Sequence, residues 1–154
     1  MKLIATNAWW FSVDMNIIQR TLFEGALAAR QQAYAPYSRF CVGASLRSVA
    51  GHYYHGCNVE NAAYGLSICA EMNAIVQMVA AGDRQISELL IIGGADKLCY
   101  PCGACRQVIR EFAVETTQIH LSQVNEQVIT KQFAELLPFS FGAEDLNESS
   151  IALK

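Results

Sequence analysis

The chain has 154 residues, of which 53% are hydrophobic and 16% charged, and its formal net charge is −3. That length suits one domain with a real core, and the composition excludes a disordered chain. No run of lysine and arginine offers phosphates a basic surface, and no stretch approaches the roughly 18 apolar residues of a membrane span, so a globular protein acting on a small molecule is the expectation.

Met1–Val13 is apolar, with Trp9, Trp10 and Phe11. It lacks a small-residue cleavage site after a clean apolar core, so residues 1–14 read as an N-terminal extension and not as a signal peptide. A helix is expected from Asn16 to Ala33, because Ile17, Ile18, Leu22, Ala26 and Ala29 recur at helical spacing; Gly25 weakens it. Tyr34-Ala35-Pro36-Tyr37-Ser38 ends it, since the residue before a proline avoids the helical region. Phe40–Val49 and Tyr53–Val59 predict a hairpin turned at Ala50-Gly51. Asn58, Glu60 and Asn61 then stand in a loop of an otherwise apolar chain, which is either a binding segment or a solvated connection.

Ile68–Ala81 predicts a helix apolar nearly all round, hence buried, and stopped by Gly82. Leu89-Leu90-Ile91-Ile92, closed by Gly93-Gly94, suits a central strand covered on both faces. Gly103–Phe112 reads as a helix, Thr117–Leu121 and Glu126–Thr130 as strands, and Thr130–Leu137 as a short helix stopped by Pro138. Residues 147–154 read as a loose tail. Elements in this order predict one α/β domain over 1–154, a three-layer α/β/α sandwich around a mixed sheet.

The six cysteines are Cys41, Cys57, Cys69, Cys99, Cys102 and Cys105. An even count fits disulfides in a secreted protein, but in the reducing cytoplasm, the location expected here, clustered thiols mean metal. Cys69 and the pair Cys102 and Cys105 fall at predicted helix starts, where free N–H groups and the positive helix end favour the thiolate. Cys102 and Cys105 are three apart, so one turn presents both sulfurs to one ion, and Pro101 suits the entry to that turn. Three thiolates suit a zinc ion with an open fourth position. Cys99 is a candidate fourth ligand, which would close the site into a structural one. Glu71 lies two residues after Cys69 on an apolar helix, where an unpaired carboxylate is costly unless it acts as a general acid/base. His52, His55 and His120 read as satisfied strand histidines, and Cys41 and Cys57 as inert strand residues.

Several separate motifs, in this order, resemble the cytidine deaminase family, the small homotetrameric kind with three cysteine ligands. They are Tyr34-Ala35-Pro36-Tyr37-Ser38-Arg39-Phe40, Gly56-Cys57-Asn58-Val59-Glu60-Asn61-Ala62-Ala63-Tyr64, Cys69-Ala70-Glu71, Pro101-Cys102-Gly103-Ala104-Cys105-Arg106-Gln107 and Leu136-Leu137-Pro138 with Phe141 and Asp145-Leu146. The resemblance runs from about Tyr34 to Leu146. It implies a five-stranded sheet in the order 2-1-3-4-5 and one zinc per subunit on Cys69, Cys102 and Cys105. Glu71 would move protons between water, ring N3 and the leaving amine, converting cytidine and deoxycytidine to uridine and deoxyuridine in pyrimidine salvage. Phe40 would pack against the pyrimidine, Asn58 and Glu60 would hold the ribose 3′-hydroxyl, and the backbone at Ala70 would read the base carbonyl. Ala62, Tyr64 and Phe141 would reach a neighbouring subunit's site, so the active sites of a homotetramer would be shared.

Two positions depart from the family. Met72 stands where arginine usually follows Cys-Ala-Glu, removing a positive charge that would offset three thiolates; Arg106 and the helix ends are candidates to compensate. Cys41 stands where proline is frequent. Deaminases of the blasticidin S type also lack that arginine, but they do not share the Asn58–Tyr64 run, so cytidine is the preferred substrate class. The rival classes are a polynucleotide-editing deaminase, which needs a basic channel, and a non-enzymatic zinc-stapled module.

Overall fold

A computed structural model describes residues 15–95 and 97–146. The expected N-terminal extension and C-terminal tail lie outside the described residues. The first helix, α1 (Ile17–Gln31), starts at Asn16, whose side chain accepts from Gln19 N at 2.9 Å while Gln19 Oε1 accepts from Asn16 N at 3.2 Å. This reciprocal cap satisfies two donors that the first turn leaves free. Gly25 has a packing reason: a Cβ there would lie 2.2 Å from the ring of His55, so only glycine lets the helix sit this close to the sheet.

Strands β1 (Gly43–Ser48) and β2 (Tyr53–Cys57) form the expected hairpin. Helix α2 (Ala70–Ala80), β3 (Ile86–Ile92), α3 (Gly103–Phe112), β4 (Gln118–Ser122), β5 (Val128–Gln132) and the short α4 (Phe133–Leu136) follow. The sheet order is β2-β1-β3-β4-β5, with β3 and β4 parallel and the other pairs antiparallel. The parallel pair needs a crossover, which α3 provides. Along β3, Leu89 and Ile91 pack on one side with Ala74, Ile75 and Met78 of α2 and Ile109 of α3. Leu90 and Ile92 pack on the other side with Leu22, Phe23 and Ala26 of α1. The expected three layers, and the central strand covered on both faces, are therefore present.

Several local expectations are corrected. Phe40, Cys41 and Val42 precede β1 and belong to no strand: the Asn58 side chain takes up the Phe40 carbonyl and the Val42 N–H, and Ser38 Oγ the Phe40 N–H. Strand β3 begins at Ile86, earlier than its apolar run. Thr130 belongs to β5, where it pairs with His120, and so α4 starts only at Phe133. Helix α2 is not buried all round: Val76 is 63% exposed. A short 3-10 turn at Tyr64–Leu66 occupies a stretch expected as loop, and a second one lies at Ala143–Leu146. His52 lies in the hairpin turn and not on a strand. All three histidines have partners: His52 on Asp83, His55 on Ser45, and the buried His120 on Glu88 and Thr130. Among the described residues no helix is long and apolar enough to cross a membrane.

Candidate active site

The N-termini of α2 and α3 meet at one end of the sheet. Cys69 is the N-cap of α2 and Cys102 the N-cap of α3, with Cys102 Sγ accepting from Cys105 N at 3.4 Å. The ligand atoms of Cys69, Cys102 and Cys105 all lie within 4.8 Å of one another, and Cys69 Sγ is 4.0 Å from Cys102 Sγ. Tetrahedral zinc with Zn–S bonds of about 2.3 Å places its sulfurs about 3.8 Å apart, so this donor set fits the ion. Hydrogen bonding with Cys105 lowers the Cys69 thiol to about 7, and the same bond, with burial, pushes Cys105 up. A cation bound by the three sulfurs would displace the thiol protons.

Cys99 does not join that group. Its thiol is pushed up to about 11, first by burial and then by the charges of Glu71, Cys69 and Cys102. The arrangement is three thiols with an open side, not a closed four-cysteine staple. Arg106 donates from Nε to Pro101 O and from Nη1 to Leu136 O, both at 2.9 Å. Its hydrogen bonds brace the backbone on either side of α3 and go to carbonyls, not to a sulfur. Met72 is half-buried beside Glu71.

Glu71 is 4% exposed in the first turn of α2, and burial raises its pKa. It faces a pocket of about 550 Å³ that also gathers Phe40, Asn58, Glu60, Tyr64, Cys69, Ala70 and Cys102. That volume suits a small-molecule ligand. Two hydrogen bonds bring the separate motifs together: Tyr34 N donates to Asn58 O at 3.0 Å and Glu60 N to Tyr34 O at 2.8 Å. Asn58 Oδ1 accepts from Val42 N at 2.8 Å and Nδ2 donates to Phe40 O at 2.9 Å. Glu60 Oε2 accepts from Tyr37 N at 2.9 Å and Ser38 N at 3.2 Å, and the Ser38 hydroxyl leads in holding its carboxyl below the usual range.

Two expected contacts fall outside this pocket. Ala62 is exposed, and Phe141 is 58% exposed, with its carbonyl accepting from Gln107 Nε2 at 3.0 Å. Tyr37 and Tyr100 line the pocket without a role expected from the sequence, and Cys99, a candidate fourth ligand by sequence, lines it as well. For Tyr37 a signal existed, because it sits three residues before Phe40 in the same motif; its ring meets Tyr64 edge-on at 6.1 Å. Nothing in the local pattern marks Tyr100, or Cys99 as pocket wall, since both places depend on how the loop before α3 folds back.

Residues 17–121 match the cytidine and deoxycytidylate deaminase zinc-binding region. The chain is similar to the cytidine deaminase of Sporosarcina psychrophila, 43% identical over 119 residues, covering 77% of this chain and 88% of that protein. It is 38% identical over 130 residues to the cytidine deaminase of Halalkalibacterium halodurans, covering 84% of this chain and 98% of the relative. Among solved structures it is similar to the cytidine deaminase of Burkholderia pseudomallei, with a TM-score of 0.77 and 43% identity over 82% of this chain and 100% of that one. The cytidine deaminase of Mycobacterium tuberculosis superimposes with a TM-score of 0.72 and 34% identity, over 82% of this chain and 99% of the other.

Proposed function

The chain belongs to the cytidine and deoxycytidylate deaminase family, and from that premise we propose that it hydrolyses the exocyclic amine of cytidine and deoxycytidine, releasing ammonia and leaving uridine or deoxyuridine. It is a zinc-dependent aminohydrolase of nucleoside salvage. The observation that carries this reading is the three-thiol cluster opening onto the same pocket as the buried Glu71. The relatives found are cytidine deaminases by name, so an antibiotic nucleoside is not favoured as substrate.

Cys69, Cys102 and Cys105 would hold one zinc per chain, which supplies Lewis-acid activation of the attacking water. Glu71 takes one proton from that water and hands it to ring N3 as the water oxygen bonds to C4. It then takes the hydroxyl proton of the resulting adduct and delivers it to the amine, which departs as ammonia as the C4–N bond breaks. One carboxylate serves both steps, because the net movement is from water to leaving group. Burial supports this role by making its neutral, proton-carrying form accessible. Phe40 packs on the pyrimidine. Asn58 and Glu60 hold the ribose 3′-hydroxyl; Glu60 uses one oxygen on the Tyr37–Ser38 turn, leaving the other to accept. The Ala70 N–H, free of an intrahelical partner in the first turn of α2, reads the base carbonyl.

The working unit is a homotetramer with shared sites, built from single-domain subunits in the cytoplasm, where reduced thiols are maintained. Support for the assembly comes from the exposed aromatics that line the pocket, Tyr37, Tyr64 and Tyr100, which a lone chain would leave in water. Phe141 and Ala62 lie outside their own chain's pocket, and Tyr64 on its rim is 78% exposed, leaving all three available to a neighbour. The activity is tested by incubating purified protein with cytidine and deoxycytidine and measuring ammonia and uridine. A folded, zinc-loaded protein that releases neither refutes the reading.

A further inference from the structure

We propose that Gly93 is a positioning residue of the pocket wall: its missing side chain lets Phe40 and Cys99 stand against the end of β3, and this seat determines where the Phe40 ring lies. The inference rests on the reading of Phe40 as the ring that packs on the base. Gly93 immediately follows Ile92, the last residue of β3, and is buried. A Cβ built on it would lie 2.5 Å from Cys99 Cβ, 3.0 Å from Cys99 Sγ and 3.1 Å from Phe40 Cζ. Its φ lies outside the left-handed region, so the demand for glycine here is one of space and not of backbone conformation. At Gly94 a Cβ would meet Phe40 Cε2 at 3.6 Å, an ordinary contact. Two adjacent glycines thus make different demands.

The seat is anchored from both directions. Arg30, in the last turn of α1, donates from Nε to the Gly93 carbonyl at 2.7 Å. Phe40 has its backbone N–H on Ser38 Oγ at 3.0 Å and its carbonyl on Asn58 Nδ2 at 2.9 Å. With its backbone held by side chains and not by a strand, the ring takes its position from what it leans on. Neither Gly93 nor Arg30 lines the pocket, so both act through Phe40 and Cys99.

The test uses zinc-loaded protein and reads KM and kcat for cytidine, with uridine affinity by calorimetry as a second measure. Gly93→Ala should raise KM and weaken uridine about tenfold while kcat changes less than about threefold, a part of the roughly 5- to 150-fold that aromatic–base stacking supplies. Gly94→Ala should behave as the parent protein. The Cys99→Gly background removes the contact that threatens folding and keeps the approach to Phe40. There Gly93→Ala should still raise KM about threefold, and this rise should vanish when Phe40 is also alanine. A rise that persists without the Phe40 ring, or no rise at all in the Cys99→Gly background, overturns the role of Gly93. If instead Phe40→Ala alone leaves KM and uridine affinity unchanged, the reading of Phe40 as the base-packing ring fails, and the inference fails with it.

Discussion

Glu71→Gln preserves the volume of a side chain that is only 4% exposed and removes its capacity to carry a proton. A single positioned proton transfer contributes about 10²–10⁴-fold to a rate. Deamination asks Glu71 for more than one, so the loss should reach about 10⁴-fold or more, which is ~5.4 kcal/mol of barrier at 1.36 kcal/mol per tenfold. Fold and metal binding should survive. Glutamine is isosteric, and burial already disfavours the charged carboxylate at this position. The sulfurs of Cys69, Cys102 and Cys105 are untouched by the change. The assay follows cytidine loss and ammonia release side by side with elemental analysis for zinc and a thermal melt. Turnover within tenfold of the parent, in protein with full zinc and an unchanged melt, would refute the assignment of Glu71 as the proton carrier.

Four further outcomes are expected. Replacing both Cys102 and Cys105 by alanine should abolish the roughly one zinc per chain that a site of this kind binds; full zinc in that variant by elemental analysis would rule the ligand set out. Met72→Arg should move the acidic limb of the pH–rate profile to lower pH by restoring a positive charge beside the thiolates, and an unchanged limb would mean Arg106 or the helix ends already compensate. Mixing Glu71→Gln chains with Phe141→Ala chains should restore part of the activity, and light scattering should give a tetramer mass; proven subunit exchange without recovery would exclude shared sites. Asp83 is held below the usual carboxylate range by hydrogen bonds from Ser48, His52 and Tyr54. Its stabilisation is therefore present above the unfolded-state pKa of about 3.9 and lost as pH falls through the lowered folded value. Asp83→Asn should lower Tm at pH 7 and leave the melt unchanged in strong acid; equal losses at both would contradict this.

Local pattern was enough to read the chemistry. Cys69-Ala70-Glu71 and Pro101-Cys102-Gly103-Ala104-Cys105 each carry their meaning in residue type and short spacing, because helix caps and a three-residue turn determine where those groups point. The continuous apolar run of Leu89, Leu90, Ile91 and Ile92 was likewise sufficient to place a strand between two layers, since both of its faces must be covered. What a linear pattern could not decide was contact between segments far apart in the chain. Phe40 read as a strand residue, and only the Asn58 side chain across the fold takes its carbonyl out of the sheet. Arg106 read as a counter-charge for the thiolates, and only the fold brings the carbonyls of Pro101 and Leu136 to where they hold its guanidinium. Cys99 was a candidate fourth ligand by sequence, and the path of the loop before α3 turns it instead against Gly93 as pocket wall. Helix caps, turns and periodicity are short-range consequences of backbone geometry, so they are written in consecutive residues. Hydrogen bonds and close packing between remote segments depend on distances that exist only once the sheet has brought those segments together.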